Sequence, residues 1–237
     1  LLRKPPSHME IYNDINGDVV NVFRVLRDPE QAATLRQLLE FTPYSRDEFD
    51  AAYEDSDDPV ERARRYMVRT FMGFGSSGTK KAKTGFNVKF RDTGSCGPHQ
   101  WAKLSHSIDE FTERLRLVCI ENRDALKLIA EHDSPETLFY IDPPYPLDTR
   151  HKNAGSEYEF EMTNEDHAKL LESCQSLSGM VVVSGYRCDL YDRALSGWFR
   201  FDKTANASGQ RGGCARTESI WLNPSACRQS MNLFTAA

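Results

Sequence analysis

The chain of 237 residues is 39% hydrophobic and carries a formal net charge of −5, enough for one substantial core and no general bias toward polyanions. It has neither a run of about 18 apolar residues nor a charged-then-apolar leader, so a soluble cytoplasmic protein without a membrane span is predicted. Its six cysteines (Cys96, Cys119, Cys174, Cys188, Cys214 and Cys227) include no C-x-x-C pair, which argues against zinc and disulfide frameworks, and no metal is predicted.

The chain opens on Leu1-Leu2-Arg3-Lys4-Pro5-Pro6 and then places apolar residues at Met9, Ile11 and Ile15, predicting a short strand that ends on an acidic residue, Asp14. Val19, Val22, Phe23 and Leu26 follow at helical spacing. Residues 29–70 are predicted mostly helical, with breaks near Pro43 and Pro59. Charge divides this region: 28–58 is strongly acidic, whereas 60–92 carries Arg62, Arg64, Arg65, Arg69, Lys80, Lys81, Lys83, Lys89 and Arg91 against Glu61 and Asp92. Such a local basic face on an acidic protein is the footprint of a phosphate-backbone partner. Gly73 to Phe86 is predicted as a flexible glycine- and lysine-rich loop. Gly73-x-Gly75-x-x-Gly78 matches the dinucleotide fingerprint in form only, because a helix precedes it where a strand is required.

Ser107 and Glu110 form a capping-box pattern ahead of a helix to about Leu117. A strand over 117–120, a helix over 124–131 and a strand over 137–141 follow. Residues 146–162 are polar and irregular. Thr163 and Asp166 open a helix that Gly179 ends, Met180 to Ser184 form a strand, and the chain is predicted to turn at Gly185-Tyr186. Strands 198–203 and 217–222 make a terminal hairpin. The fold class is therefore α/β, a mostly parallel sheet with an antiparallel C-terminal hairpin.

The strand over 137–141 stops on Asp142-Pro143-Pro144-Tyr145. Two prolines cannot continue a ladder, and Pro143 keeps Asp142 extended, so a carboxylate, free carbonyls and an aromatic ring gather at a strand's carboxyl end. Ligands bind there in open α/β sheets. The constellation suits a planar amine held between a ring and two acceptors. Asp14 and Asp124 also follow strands and precede helices, where a carboxylate either binds ribose hydroxyls or caps the helix.

The tetrapeptide resembles the DPPY motif of amino-group methyltransferases. Together with Asn13-Asp14-Ile15-Asn16, Asp124-Ala125-Leu126, Val183-Ser184-Gly185-Tyr186 and Arg216 to Asn223, it is similar to the Dam-like (D12 class) DNA adenine-N6 methyltransferases over nearly the whole chain. The resemblance implies a Rossmann-like methyltransferase core over 1–28 and 107–224, a helical DNA-recognition insertion over 29–106 and a flexible tail over 225–237. It implies S-adenosylmethionine as methyl donor and double-stranded DNA as partner, with the enzyme a monomer in a bacterial or phage-infected cell. Asp142, Pro143, Pro144 and Tyr145 would be catalytic; Asp14, Asp124 and Asp142 would bind the donor; Arg69, Lys80, Lys81, Lys83, Lys89 and Arg91 would contact DNA.

The family's Phe-x-Gly-x-Gly turn has no counterpart, so the resemblance also implies a chain truncated at its N-terminus and lacking a central strand. Methyl transfer to RNA or to a protein glutamine stays open, as does a non-catalytic DNA-binding remnant.

Overall fold

The computed structural model describes residues 4–74, 83–88, 97–150, 158–207 and 214–228. Lys80, Lys81, Lys89 and Arg91 lie outside them. The chain divides into two compact units, Leu1–Arg123 with Glu157–Glu159, and Asp124–Ser156 with Phe160–Ala237.

The first unit runs β1 (Ile11–Asn13), α1 (Gly17–Arg27), α2 (Pro29–Phe41), α3 (Arg46–Ala51), α4 (Pro59–Met72), α5 (Gly97–Leu104), α6 (Ile108–Leu115) and β2 (Cys119–Glu121). Side-chain oxygens at the helix starts set these boundaries. Asn16 accepts from the amides of Asp18 and Val19, Asp28 from those of Glu30 and Gln31, and Asp58 from that of Val60. Pro59 stands in the first turn of α4, where its missing N–H costs nothing. The expected capping box at Ser107 does not form. A 3-10 turn over Ser105–Ser107 runs directly into α6, so Ser107 is already helical (φ −90°, ψ −7°) and its hydroxyl donates to the Lys103 carbonyl at 3.5 Å. The α5 helix, unforeseen in sequence, buries Trp101, whose indole donates to the Thr42 carbonyl at 2.8 Å.

One core joins these helices, with Val25 and Leu26 of α1, Leu35 and Leu39 of α2, Phe49 of α3, Val68 and Met72 of α4, Trp101 of α5 and Ile108 and Leu115 of α6 all buried in it. The β1 and β2 strands pair in parallel, Tyr12 opposite Ile120.

The second unit runs α7 (Ala125–Glu131), β3 (Leu138–Ile141), α8 (Asn164–Ser176), β4 (Met180–Tyr186), α9 (Asp189–Ala194), β5 (Phe199–Ala207) and β6 (Cys214–Leu222). Its sheet has the order β3-β4-β6-β5, with β3 parallel to β4 and β6 antiparallel to both β4 and β5. Among the described residues, two strand pairings are parallel and two antiparallel, and both antiparallel ones are made by the C-terminal hairpin. The predicted turn at Gly185-Tyr186 belongs instead to β4, because β6 offers Ser219 and Glu218 as ladder partners to these two residues. The α9 helix was also unforeseen. It buries Tyr191 against Trp221 and beneath Gly185. Pro224 to Arg228 form a further helical turn, with Ala226 buried, where a flexible tail was expected.

One face of this sheet packs Phe139, Ile141, Val181, Val183 and Trp221 against α8 and α9. Strand alternation sends Leu138, Tyr140, Phe199, Phe201 and Ile220 to the opposite face, where each is at least 37% exposed.

Candidate active site

The Asp142-Pro143-Pro144-Tyr145 segment leaves the carboxyl end of β3. The parallel register pairs Ile141 with Val183, which brings Asp142 level with Ser184 of β4. The Ser184 hydroxyl lies 2.7 Å from Asp142 Oδ1 and 3.2 Å from the Ile141 carbonyl. Asp142 is exposed although Ser184 is buried. Among the described residues no donor reaches Asp142 Oδ2 or the Pro143 carbonyl, so two acceptors are left at the strand's end.

Tyr145 packs edge-on against Tyr186, the last residue of β4, with ring centroids 4.5 Å apart and planes at 68°. Its carbonyl accepts from the Arg150 guanidinium, which also pairs with Glu161 at 2.9 Å. That guanidinium is 3% exposed, so it ties the chain after the tetrapeptide to the segment before α8. Beneath the site, the Tyr191 hydroxyl lies 3.1 Å from Nδ1 of His167, and both residues are fully buried. Burial pushes the Tyr191 hydroxyl well above the usual phenol range, and nearby groups that include Tyr145 and Asp142 push it further. Burial and the charge of Arg150 hold His167 below its ordinary value, which favours the neutral imidazole.

Ser184, Tyr186, Arg150 and the His167–Tyr191 pair were not among the site residues expected from sequence. Val183-Ser184-Gly185-Tyr186 was visible as a motif, but the partnership of Ser184 with Asp142 depends on strand register.

In the first unit, Asp14 sits at the carboxyl end of β1 and does not cap α1, since Asn16 does that. Its Oδ1 accepts from the Asn16 amide at 2.9 Å and its Oδ2 from the Tyr12 hydroxyl at 3.1 Å. The carboxylate is therefore oriented and half-exposed. Burial, then the charge of Asp14, push the Tyr66 hydroxyl up to about 12. In the second unit, Asp124 is the N-cap of α7 and accepts from the Lys127 amide at 3.0 Å.

Arg62, Arg64, Arg65 and Arg69 of the basic segment are engaged within the first unit. Arg62 and Arg69 pair with Asp18, Arg64 with Glu48 and Glu61, and Arg65 with Glu61. Arg69 is 13% exposed, donates to the Ala52 carbonyl at 3.0 Å and lies over the rings of Tyr53 and Tyr66. Lys83 is more exposed and pairs with Asp50 at 3.0 Å. Phe86, expected in a flexible loop, bridges Gly73 and packs on Tyr44 and Phe49.

The model of the D12 class N6 adenine-specific DNA methyltransferases matches residues 4–205, most of the chain. The chain belongs to that family. No curated protein matches it. A D12 class enzyme is a DNA methyltransferase specific for adenine, so the two acceptors without donors, on exposed Asp142 and buried Pro143, can be weighed against an exocyclic amine bearing two hydrogens. Among the described residues, no cluster of His, Cys, Asp or Glu is arranged to hold a metal ion, and no helix is long and apolar enough to cross a membrane.

Proposed function

We propose that this D12 class chain transfers a methyl group from S-adenosylmethionine to N6 of an adenine flipped out of duplex DNA, with Asp142 and the Pro143 carbonyl accepting the two N6 hydrogens. The observation that carries this reading is the asymmetry of Asp142, one oxygen fixed by Ser184 and the other open at the strand end beside the free Pro143 carbonyl.

Adenine N6 is a poor nucleophile because its lone pair is delocalised into the ring. Two acceptors on its hydrogens localise that pair and stabilise the positive charge that develops during transfer. The proline backbone fixes the Pro143 carbonyl, and Tyr145 offers a ring face for stacking. S-adenosylmethionine would supply the methyl group: its carbon–sulfur bond would break with the electron pair staying on sulfur as the N6 lone pair bonds the carbon, and N6 would then release one proton to solvent. Asp14 fits a donor of that kind. It is pinned at a strand end yet free of the capping duty, and its Tyr12 hydroxyl contact is one that a ribose hydroxyl can replace. Asp124 is exposed and keeps one oxygen beyond its cap bond.

A base stacked in a duplex cannot enter such a pocket, and extruding it costs roughly a few kcal/mol. In this reading 29–106 is the DNA-recognition region, and phosphate contacts from Lys80, Lys81, Lys83, Lys89 and Arg91 help offset this cost. Arg69 supports that region from inside.

The test is the Asp142→Ala variant, assayed for tritium transfer to unmethylated genomic DNA and for affinity to the same DNA. Transfer is expected to vanish while affinity stays within about threefold, since phosphate contacts dominate binding. Retained turnover contradicts the proposed role.

A further inference from the structure

Ser184 is buried (6% exposed) in the middle of a ladder and carries a hydroxyl that the sheet itself does not need. Its hydrogen has two acceptors within reach, Asp142 Oδ1 at 2.7 Å and the Ile141 carbonyl at 3.2 Å. The carboxylate is the nearer and the charged one, and a charge-assisted bond is the stronger. Asp142 itself stands just past the end of β3, followed by two prolines whose missing N–H groups leave its side chain few local donors. Ser184 is the single described residue that fixes its torsion.

We infer that Ser184 is a positioning residue for Asp142: its hydroxyl holds Oδ1 so that Oδ2 stays turned toward the amine. This rests on the proposed role of Asp142 and adds a residue that does not touch the base. The β3–β4 register supplies the alignment, since Ile141 pairs with Val183 and the next residues along the two strands are Asp142 and Ser184. A carboxylate free to rotate spends most of its time misaligned. The loss therefore falls on the chemical step, where the acceptor must be in place, and not on the binding of DNA or donor.

The experiment measures kcat and both KM values of the full chain on unmethylated genomic DNA with tritiated S-adenosylmethionine, for Ser184→Ala, Ser184→Cys and Ser184→Thr. Losing one hydrogen bond to a charged group predicts a fall in kcat of about 10- to 100-fold for Ser184→Ala with both KM values within about threefold. Ser184→Cys keeps the volume and offers a weak S–H donor, so it is expected to fall between Ala and the native chain, and it is the variant to read where Ala does not fold. Ser184→Thr restores a hydroxyl and is expected to recover most of the rate. The inference is overturned where Ser184→Ala or Ser184→Cys keeps the native kcat, or where the loss appears in KM alone. If Asp142→Ala abolishes transfer while the Ser184 variants do not lower kcat, only the positioning role fails. If Asp142→Ala stays active, the underlying reading of Asp142 fails first.

Discussion

In the proposed reaction, Asp142 and Tyr145 would divide the work of holding a planar amine, the first by accepting hydrogen and the second by stacking. Replacing Tyr145 with Ala removes a stacking surface worth about 1–3 kcal/mol per base, so kcat/KM for DNA is expected to fall about 10- to 100-fold, whereas Tyr145→Phe keeps the ring and most of the rate. Steady-state kinetics on the two variants decide this, and equal losses would show that the hydroxyl matters more than the ring face.

Elsewhere, Glu10 is a nearly inaccessible carboxylate. Burial raises its pKa, but donors from Lys4, the Ser7 amide and Arg114 outweigh that and hold it down at about 2. Because the folded value is depressed, its contribution to stability is present above the ordinary value of 4.5 and is lost as pH falls toward about 2. Glu10→Gln is expected to lower stability near pH 7 and to flatten its decline across that window, as read from urea midpoints at successive pH values. The tetrapeptide was legible in sequence because its chemistry lies in four consecutive residues. Ser184 was not, because a hydroxyl in an apolar strand acquires meaning only from the residue opposite it.

Among the elements, the helix starts show which local signals survive packing. Thr163 and Asp166 exchange both bonds of a capping box at the start of α8, since the chain enters extended (φ −77°, ψ 166°). Ser107 and Glu110 have the same spacing but sit on a helical approach, where the serine is not in capping geometry. Thr163→Ala is expected to lower stability by about 1 kcal/mol, and Ser107→Ala by a few tenths at most, measured by thermal unfolding.

Asn223, just past β6, carries a larger load. Its buried amide accepts from the amides of Val181 and Ala226 and donates to the Gly179 carbonyl, joining β4 to the helical turn at Pro224 to Arg228. Asn223→Ala leaves three buried groups unmatched, and a loss of about 3 kcal/mol is expected. A melting temperature like that of the native chain would contradict this. The full length of β4 is not legible in sequence for a related reason. Gly185 and Tyr186 look like a turn until β6 supplies their ladder partners.

Across the whole molecule, the inversion of charge between 28–58 and 60–92 resolves in large part into ion pairs within the first unit. Arg62, Arg64, Arg65 and Arg69 meet carboxylates of Asp18, Glu48 and Glu61, so their sequence cluster overstates the positive charge open to a partner. Two outcomes separate the paired arginines from the lysines proposed to contact DNA. Arg69→Ala is expected to lower the melting temperature, whereas the paired change Lys80→Ala and Lys81→Ala leaves it unchanged and reduces the slope of log affinity against log salt by about 1.8, near 0.9 per phosphate contact. A destabilised lysine variant with an unaltered slope would reverse that assignment. Strand and helix order were legible because hydrophobic period is local. The division into two sheets and the pairing of these charges were not, since both depend on contacts between distant segments.

The most direct test is the chemical identity of the product. Unmethylated genomic DNA incubated with the native chain and S-adenosylmethionine, then digested to nucleosides and resolved by mass spectrometry, is expected to contain N6-methyladenine, with none formed by Asp142→Ala. Methylation at cytosine, or N6-methyladenine formed equally by the Asp142→Ala variant, would contradict the proposed chemistry.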